Sequence, residues 1–148
     1  MKIITVIGKP NTGKTTLITG VFEKLKAGGA KVTYFKSLGS NNKDFEAFLF
    51  HGDLKIAFYS IGDKADPSHS PMEYVANGIT YGYNSGADIF INAFSNSILS
   101  ISEKEYLSFI GQKDKCIFIR MNSQTASDID KQHNEKMQEV IEEINRCN

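Results

Sequence analysis

The sequence predicts an α/β fold, a mostly parallel five-stranded sheet with helices on both faces, and three features carry that prediction. Short apolar runs rich in β-branched and aromatic residues alternate along the chain with longer stretches of helical periodicity. The first run, Ile3-Ile4-Thr5-Val6-Ile7, passes through a glycine-containing turn directly into the first helical stretch. A length of 148 residues, 41% hydrophobic and 23% charged, suits one globular domain over 1–148, and neither an internal repeat nor an interdomain linker is visible.

After the first strand and its turn, Leu17, Ile18, Val21, Phe22 and Leu25 recur at helical spacing, and Gly28-Gly29 closes that helix. Residues 32–35 alternate as a second strand. Asn41-Asn42 precedes Phe45, Ala47, Phe48, Leu49 and Phe50, a pattern that predicts a short apolar helix ending near Gly52. Residues 54–61 form a third strand that runs straight into Gly62-Asp63. A loop over 64–71 holds two prolines, and Ser70-Pro71 opens a helix with Pro71 at its first position and Glu73 in its first turn. That helix is expected to turn Met72, Val75, Ile79 and Tyr83 toward the sheet. Residues 89–94 supply the fourth strand, Ser102 caps a helix through Phe109 and Ile110, and 116–119 supply the fifth strand. From Ser127 onward, Ile129, Met137, Val140, Ile141 and Ile144 mark a long amphipathic C-terminal helix. Right-handed crossovers are expected, with ligands bound beyond the carboxyl ends of the strands.

The turn between the first strand and the first helix reads Gly8-Lys9-Pro10-Asn11-Thr12-Gly13-Lys14-Thr15, that is, G-x-x-x-x-G-K-T. A strand before it and a helix after it are what a phosphate-binding loop needs. Successive backbone N–H groups wrap the phosphates, and glycines stand where a side chain would block that approach. The first helical turn adds unpaired N–H groups and the positive end of its dipole. Lys14 is placed to reach the β- and γ-phosphates and Thr15 to bind Mg²⁺, with Thr16 completing the contact set. The expected ligand is a nucleoside triphosphate, ATP or GTP.

The strand–loop–helix unit and the alternating β/α order resemble the P-loop NTPase superfamily over most of the chain. The loop itself resembles the first motif of translation-factor-type GTPases, G-x-P-N-x-G-K-S/T, but the likeness ends there. The D-x-x-G motif of those GTPases has no counterpart, since Asp63-Lys64-Ala65-Asp66 lacks the glycine. Their N-K-x-D motif is missing too: Asn42-Lys43-Asp44 lacks the spacer, and Gln112-Lys113-Asp114 precedes its strand. The resemblance implies a three-layer fold and a carboxylate at the end of an apolar strand that holds Mg²⁺ with Thr15. Asp63 is the first choice for that role and Asp66 the second, whereas Asp88 sits at the N-terminal end of its strand and reads as a turn residue. Arg120, followed by Asn122 and Ser123, lies on the ligand side of the fifth strand and can contact phosphate, stack on a base, or form a strand-end salt bridge. Small P-loop kinases resemble this build as well, but place arginines in a lid where residues 95–115 here have none.

Other readings are weaker. Asp63, Asp66 and His69 share a proline-containing loop, but their spacing matches no standard transition-metal site; Asp66, His69 and Glu73 stay open for orienting a water or an acceptor hydroxyl. His51 and His133 fall on helical segments without evident partners. Seventeen cationic residues balance seventeen anionic ones, so no net field draws the chain to nucleic acid or anionic membrane. The aromatic residues lack interleaved basic ones and read as packing. Cys116 and Cys147 have no partners at metal-ligand spacing, which with the lack of a signal segment or membrane span points to a cytoplasmic protein with reduced thiols. The sequence thus predicts a slow Mg²⁺-dependent ATPase or GTPase in which Lys14, Asp63 and Asp66 carry catalysis and a protein partner supplies an activating arginine. A small-molecule or nucleotide kinase, with its acceptor between the 41–50 helix and the 66–71 loop, and a non-catalytic nucleotide switch are the alternatives.

Overall fold

The computed structural model describes residues 1–9, 12–38, 43–61, 71–95, 102–111, 115–122 and 128–148. In chain order its elements are β1 (Lys2–Ile7), α1 (Lys14–Ala27), β2 (Lys31–Leu38), β3 (Asp44–His51), β4 (Leu54–Tyr59), α2 (Pro71–Asn84), β5 (Ile89–Phe94), α3 (Glu103–Ile110), β6 (Cys116–Arg120) and α4 (Ile129–Asn145). The fold is α/β. The strands form one sheet in the order β2-β3-β4-β5-β1-β6. Its β6, β1, β5 and β4 run parallel, while β3 is antiparallel to both β2 and β4.

The sheet is therefore mixed and has six strands where five are expected, with three of its five pairings parallel, because residues 45–50 form a strand and not a helix. The cause is legible in β3 itself. Phe45, Ala47 and Leu49 enter the core on the α1 side while Phe48 packs on the opposite face, a period of two. His51 pairs with Leu54 across a two-residue connection, Gly52-Asp53, with Gly52 at φ 62°. That makes β3–β4 a tight hairpin of the kind a Gly-Asp pair between apolar runs encodes. His51 accordingly ends a strand, and an acceptor cleft walled by a 41–50 helix does not exist.

Both faces of the sheet are covered. On one, Leu17, Ile18, Val21, Phe22 and Leu25 of α1 and Val140 and Ile144 of α4 bury against Ile4, Val6, Ile89, Ile91 and Phe58. On the other, Ile79 of α2 and Tyr106 and Ile110 of α3 bury against Ile3, Ile7, Phe90 and Phe94. Strand β1 alternates between the two cores, which fixes its register, since a one-residue slip would exchange its faces. In α2 the phase differs from expectation: Tyr83 is exposed, its hydroxyl donating to the Ile110 carbonyl, and Tyr81 packs instead on Phe48, Tyr59 and Phe90. Ser102 caps α3 as expected, accepting from the Glu105 amide at 3.1 Å. Ile129 begins α4 but stays exposed. No described helix is long and apolar enough to cross a membrane.

The α3 face holds a closed polar triangle that ties three elements together. The Asn92 amide donates to the Tyr106 hydroxyl at 2.6 Å, and the Thr5 hydroxyl donates to Asn92 Oδ1 at 2.7 Å. Thr5 and Tyr106 lie 2.9 Å apart, so the phenol supplies the third hydrogen bond and each of the three side chains donates once. Burial pushes the Tyr106 phenol well above its usual pKa and keeps it protonated. Replacing Tyr106 by phenylalanine should leave the Asn92 donor unmatched in an apolar layer and cost about 1–3 kcal/mol. Chemical denaturation of Tyr106→Phe against the wild type checks this; an unchanged midpoint would show that the triangle adds nothing.

Candidate functional site

Two hydrogen bonds fix where the loop leaves the sheet. The Met121 amide donates to the Ile7 carbonyl at 2.8 Å and the Gly8 amide to the Phe94 carbonyl at 3.3 Å, so the loop rises between the carboxyl ends of β6 and β5. A Cβ at Gly8 would fall 2.7 Å from Thr12 Oγ1 and 2.8 Å from the Met121 carbonyl, which explains the glycine. The Thr12 hydroxyl and the Lys14 ammonium each donate to the Lys9 carbonyl at 2.8 Å. Lys14 is 4% exposed and its ammonium is drawn in over the loop. Thr16 is exposed on the first turn of α1. Pro10 and Asn11 lie outside the described residues.

Gly13 is the N-cap of α1 at φ 86°, with no side-chain cap and no acidic residue in the first turn. The N-terminal amides of α1 are thus without a local carboxylate from the helix itself, the electrostatic condition under which a helix terminus holds an anion. Any Cβ on Gly13 would also collide with the imidazole of His133, lying 2.9 Å from Cε1. Gly29 offers a control, since it too has positive φ, at 97°, but nothing within 4 Å of an added Cβ. Gly29→Ala should cost only the backbone strain of about 1–2 kcal/mol, and Gly13→Ala should lower the melting temperature further by displacing His133. Equal melting temperatures for the two variants would contradict the steric account.

The residue that faces Thr15 is one the sequence did not single out. Asp44, 8% exposed at the start of β3, accepts from the Thr15 hydroxyl at 3.3 Å and from the Ser60 hydroxyl at 3.2 Å. Ser60 is locked in turn, its Oγ accepting from the Phe45 amide at 2.9 Å and its amide donating to the Phe45 carbonyl at 3.0 Å. Because β3 runs antiparallel to β4, its first residue arrives at the carboxyl end of the parallel strands, beside the loop. Among the described residues no ion pair neutralises Asp44. A buried carboxylate of that kind is normally balanced by a cation. Asp63, Asp66, His69 and Ser123 lie outside the described residues. Asp88 holds the expected structural place, its carboxylate accepting from the Lys55 amide at 2.9 Å at the far end of the sheet.

No match to this chain is found among protein-family models, curated proteins or solved structures. The site rests on its geometry alone.

Beside the loop lies a cleft of about 420 Å³ lined by Ile7, Gly8, Lys9, Thr12, Glu103, Arg120, Met121 and Asn122. Arg120 meets Glu103 with both guanidinium nitrogens, one of them at 2.9 Å, and its guanidinium sits 5.6 Å from the centre of the Phe118 ring. These hydrogen bonds, more than the charge itself, hold the Glu103 carboxyl below its usual range. Arg120 thus makes the strand-end salt bridge and lines the cleft as well. Two buried polar atoms near the loop end of the sheet, Ser95 Oγ just past β5 and His133 Nε2, have no partner among the described residues. Such atoms are costly unless a ligand or water satisfies them. No cluster of three His, Cys, Asp or Glu side chains able to hold a metal by themselves occurs among the described residues.

Proposed function

We propose that the chain binds a nucleoside triphosphate with Mg²⁺, ATP or GTP, and hydrolyses it slowly, in the manner of a P-loop NTPase. The observation that carries this reading is the meeting of the Thr15 hydroxyl with the buried Asp44 carboxylate at the N-terminus of α1. A hydroxyl and a carboxylate are the hard oxygen donors that magnesium takes from protein, the remainder coming from water and phosphate. The donor set therefore fits the ion, with Thr15 and Asp44 holding it directly or through water; Asp63 keeps its place in the proposal as a further carboxylate. When bound, magnesium would supply charge neutralisation to the phosphates.

The chain's own groups do the rest. Lys14 exchanges the Lys9 carbonyl for phosphate oxygens, trading a neutral acceptor for anionic ones, and the first amides of α1 bind the phosphates beside it. Water attacks the γ-phosphorus, the bridging P–O bond breaks, and the nucleoside diphosphate and inorganic phosphate leave, the water's surplus proton passing to solvent. Lys14 and the loop amides stabilise the charge that accumulates on the bridging oxygen. Residues 95–115 contain no arginine and Arg120 is engaged by Glu103, so turnover without a partner is slow. An arginine supplied in trans is worth on the order of 10³–10⁵ in rate. The even charge balance leaves nucleic acid outside the proposal.

Phosphate release from ATP and from GTP, each with Mg²⁺, tests the reading in wild type and Lys14→Ala. Release from one nucleotide that disappears in the variant supports it and sets the base preference. Release that survives in the variant overturns it. The cleft beside the loop favours one second reading, transfer to a small acceptor; ATP consumption that requires an added hydroxyl compound would distinguish it. Tight binding with no turnover under any condition would leave a nucleotide-dependent switch.

A further inference from the structure

On the reading that the loop holds a nucleotide, we propose that His133 of α4 belongs to the anion cradle and donates from Nε2 to the phosphate chain where it passes Gly13. Nε2 is buried, has no partner among the described residues, and lies against the Cα of Gly13. Further donors stand at the same helix start: the first α1 amides, which no side chain caps, the Lys14 ammonium, which reaches the Lys9 carbonyl, and the Thr15 hydroxyl, which reaches Asp44. A group that accepts from Nε2 and from the uncapped start of α1 together must be rich in acceptor oxygens, and a polyphosphate is. An imidazole carries one ring proton when neutral, so an anionic neighbour selects the tautomer with the proton on Nε2.

The helix that carries the imidazole is anchored on both sides of it. Next to it, Gln132 grips the chain beyond β6 from both sides, its Oε1 accepting from the Asn122 amide at 2.8 Å and its Nε2 donating to the Asn122 carbonyl at 2.9 Å. Further along α4, Met137 reaches Gly20 of α1, and Val140 and Ile144 are fully buried against the sheet. A donor carried on an anchored helix loses less on binding than one on a free loop, which favours a useful ligand contact. Gly13 is then required twice, for its left-handed backbone and for the space the imidazole occupies.

The test uses ADP and ATP with MgCl₂ as probes on the whole chain. Imidazole ¹⁵N resonances of the three histidines are followed during titration, and affinities are measured for wild type, His133→Ala and His133→Gln. Glutamine places an amide nitrogen near the position of Nε2 and serves as the rescue. The expected result is a nucleotide-dependent shift of His133 Nε2 toward a protonated, hydrogen-bonded nitrogen. His133→Ala should bind both nucleotides about tenfold more weakly, the loss of one hydrogen bond to a charged group, and His133→Gln should recover most of that. An unmoved resonance together with unchanged affinity in His133→Ala overturns the inference while leaving the loop's role standing. Weakened binding with an unmoved resonance and no glutamine rescue overturns it too, because packing alone would then account for the loss. Failure of the wild type to bind either nucleotide removes the reading on which it rests.

Discussion

Lys14→Ala is expected to weaken triphosphate binding on the order of a hundredfold while the protein keeps its fold. The ammonium is nearly fully buried and its hydrogen bond to the Lys9 carbonyl, at 2.8 Å, closes the loop on itself. That bond is made to a neutral acceptor. Phosphate oxygens offer charged ones, and charge-assisted hydrogen bonds are roughly twice as strong, so the lysine gains by turning to the ligand. Alanine forfeits the gain and also the charge that must balance four negative charges brought into a low-dielectric loop. Little of the fold depends on the side chain: α1 is anchored by Leu17, Ile18, Val21, Phe22 and Leu25, and the loop's exit by the Ile7 and Phe94 carbonyls. Calorimetric titration with Mg²⁺–ATP and Mg²⁺–GTP, paired with melting curves, measures both halves. Undiminished affinity in Lys14→Ala would sink the assignment of the loop.

Much of the fold was legible because its elements carry unambiguous periods. Helix α1 shows five apolar residues on one stripe and a double glycine after it, and they are the residues that bury. Strands β1, β4, β5 and β6 are apolar runs between turn residues, with helices between β1 and β2 and after β4, β5 and β6. Strand β3 differs from its expected helix because Asp44–His51 is short, and five apolar residues in eight satisfy a helical stripe as well as an alternating one. The deciding signal lay outside the segment, in the Gly52-Asp53 turn that could only join two strands. In α2, Tyr81 and not Tyr83 faces the sheet, since Gly82 brings the helix onto the Phe90 ring and sets its phase.

The candidate site is legible where it is local and illegible where it is assembled. Gly8, Gly13, Lys14 and Thr15 are consecutive enough for spacing to reveal them. Asp44 was hidden by the strand error: within a helix its carboxylate has no reason to meet Thr15, whereas at the head of an antiparallel strand it must arrive at the loop. His133 comes from the far end of the chain, and only the packing of α4 against α1 brings it to Gly13. Arg120 was placed correctly at the end of its strand, but its partner Glu103 belongs to another helix and no spacing predicts the pair.

Asp44→Asn should separate a metal-facing carboxylate from a structural brace, because the two roles predict opposite signs. Asparagine keeps an oxygen for the hydroxyls of Thr15 and Ser60, now at 3.3 and 3.2 Å, and removes only the charge. If the carboxylate faces magnesium, binding of ATP in the presence of a chelator should improve, since a repulsive charge near the phosphates is gone. The tightening brought by added Mg²⁺ should shrink by about 10–100-fold, the usual cost of altering a group that holds or orients a metal's ligands. Stability should hold steady or rise, because a buried charge with no ion pair among the described residues has been neutralised. A brace predicts the reverse: a lower melting temperature from weakened charge-assisted hydrogen bonds, and an Mg²⁺ response equal to the wild type's. In that case Asp44 only ties β3 to α1, and the carboxylate that serves the ion must come from the 62–70 segment, where Asp63 and Asp66 are the residues to replace next.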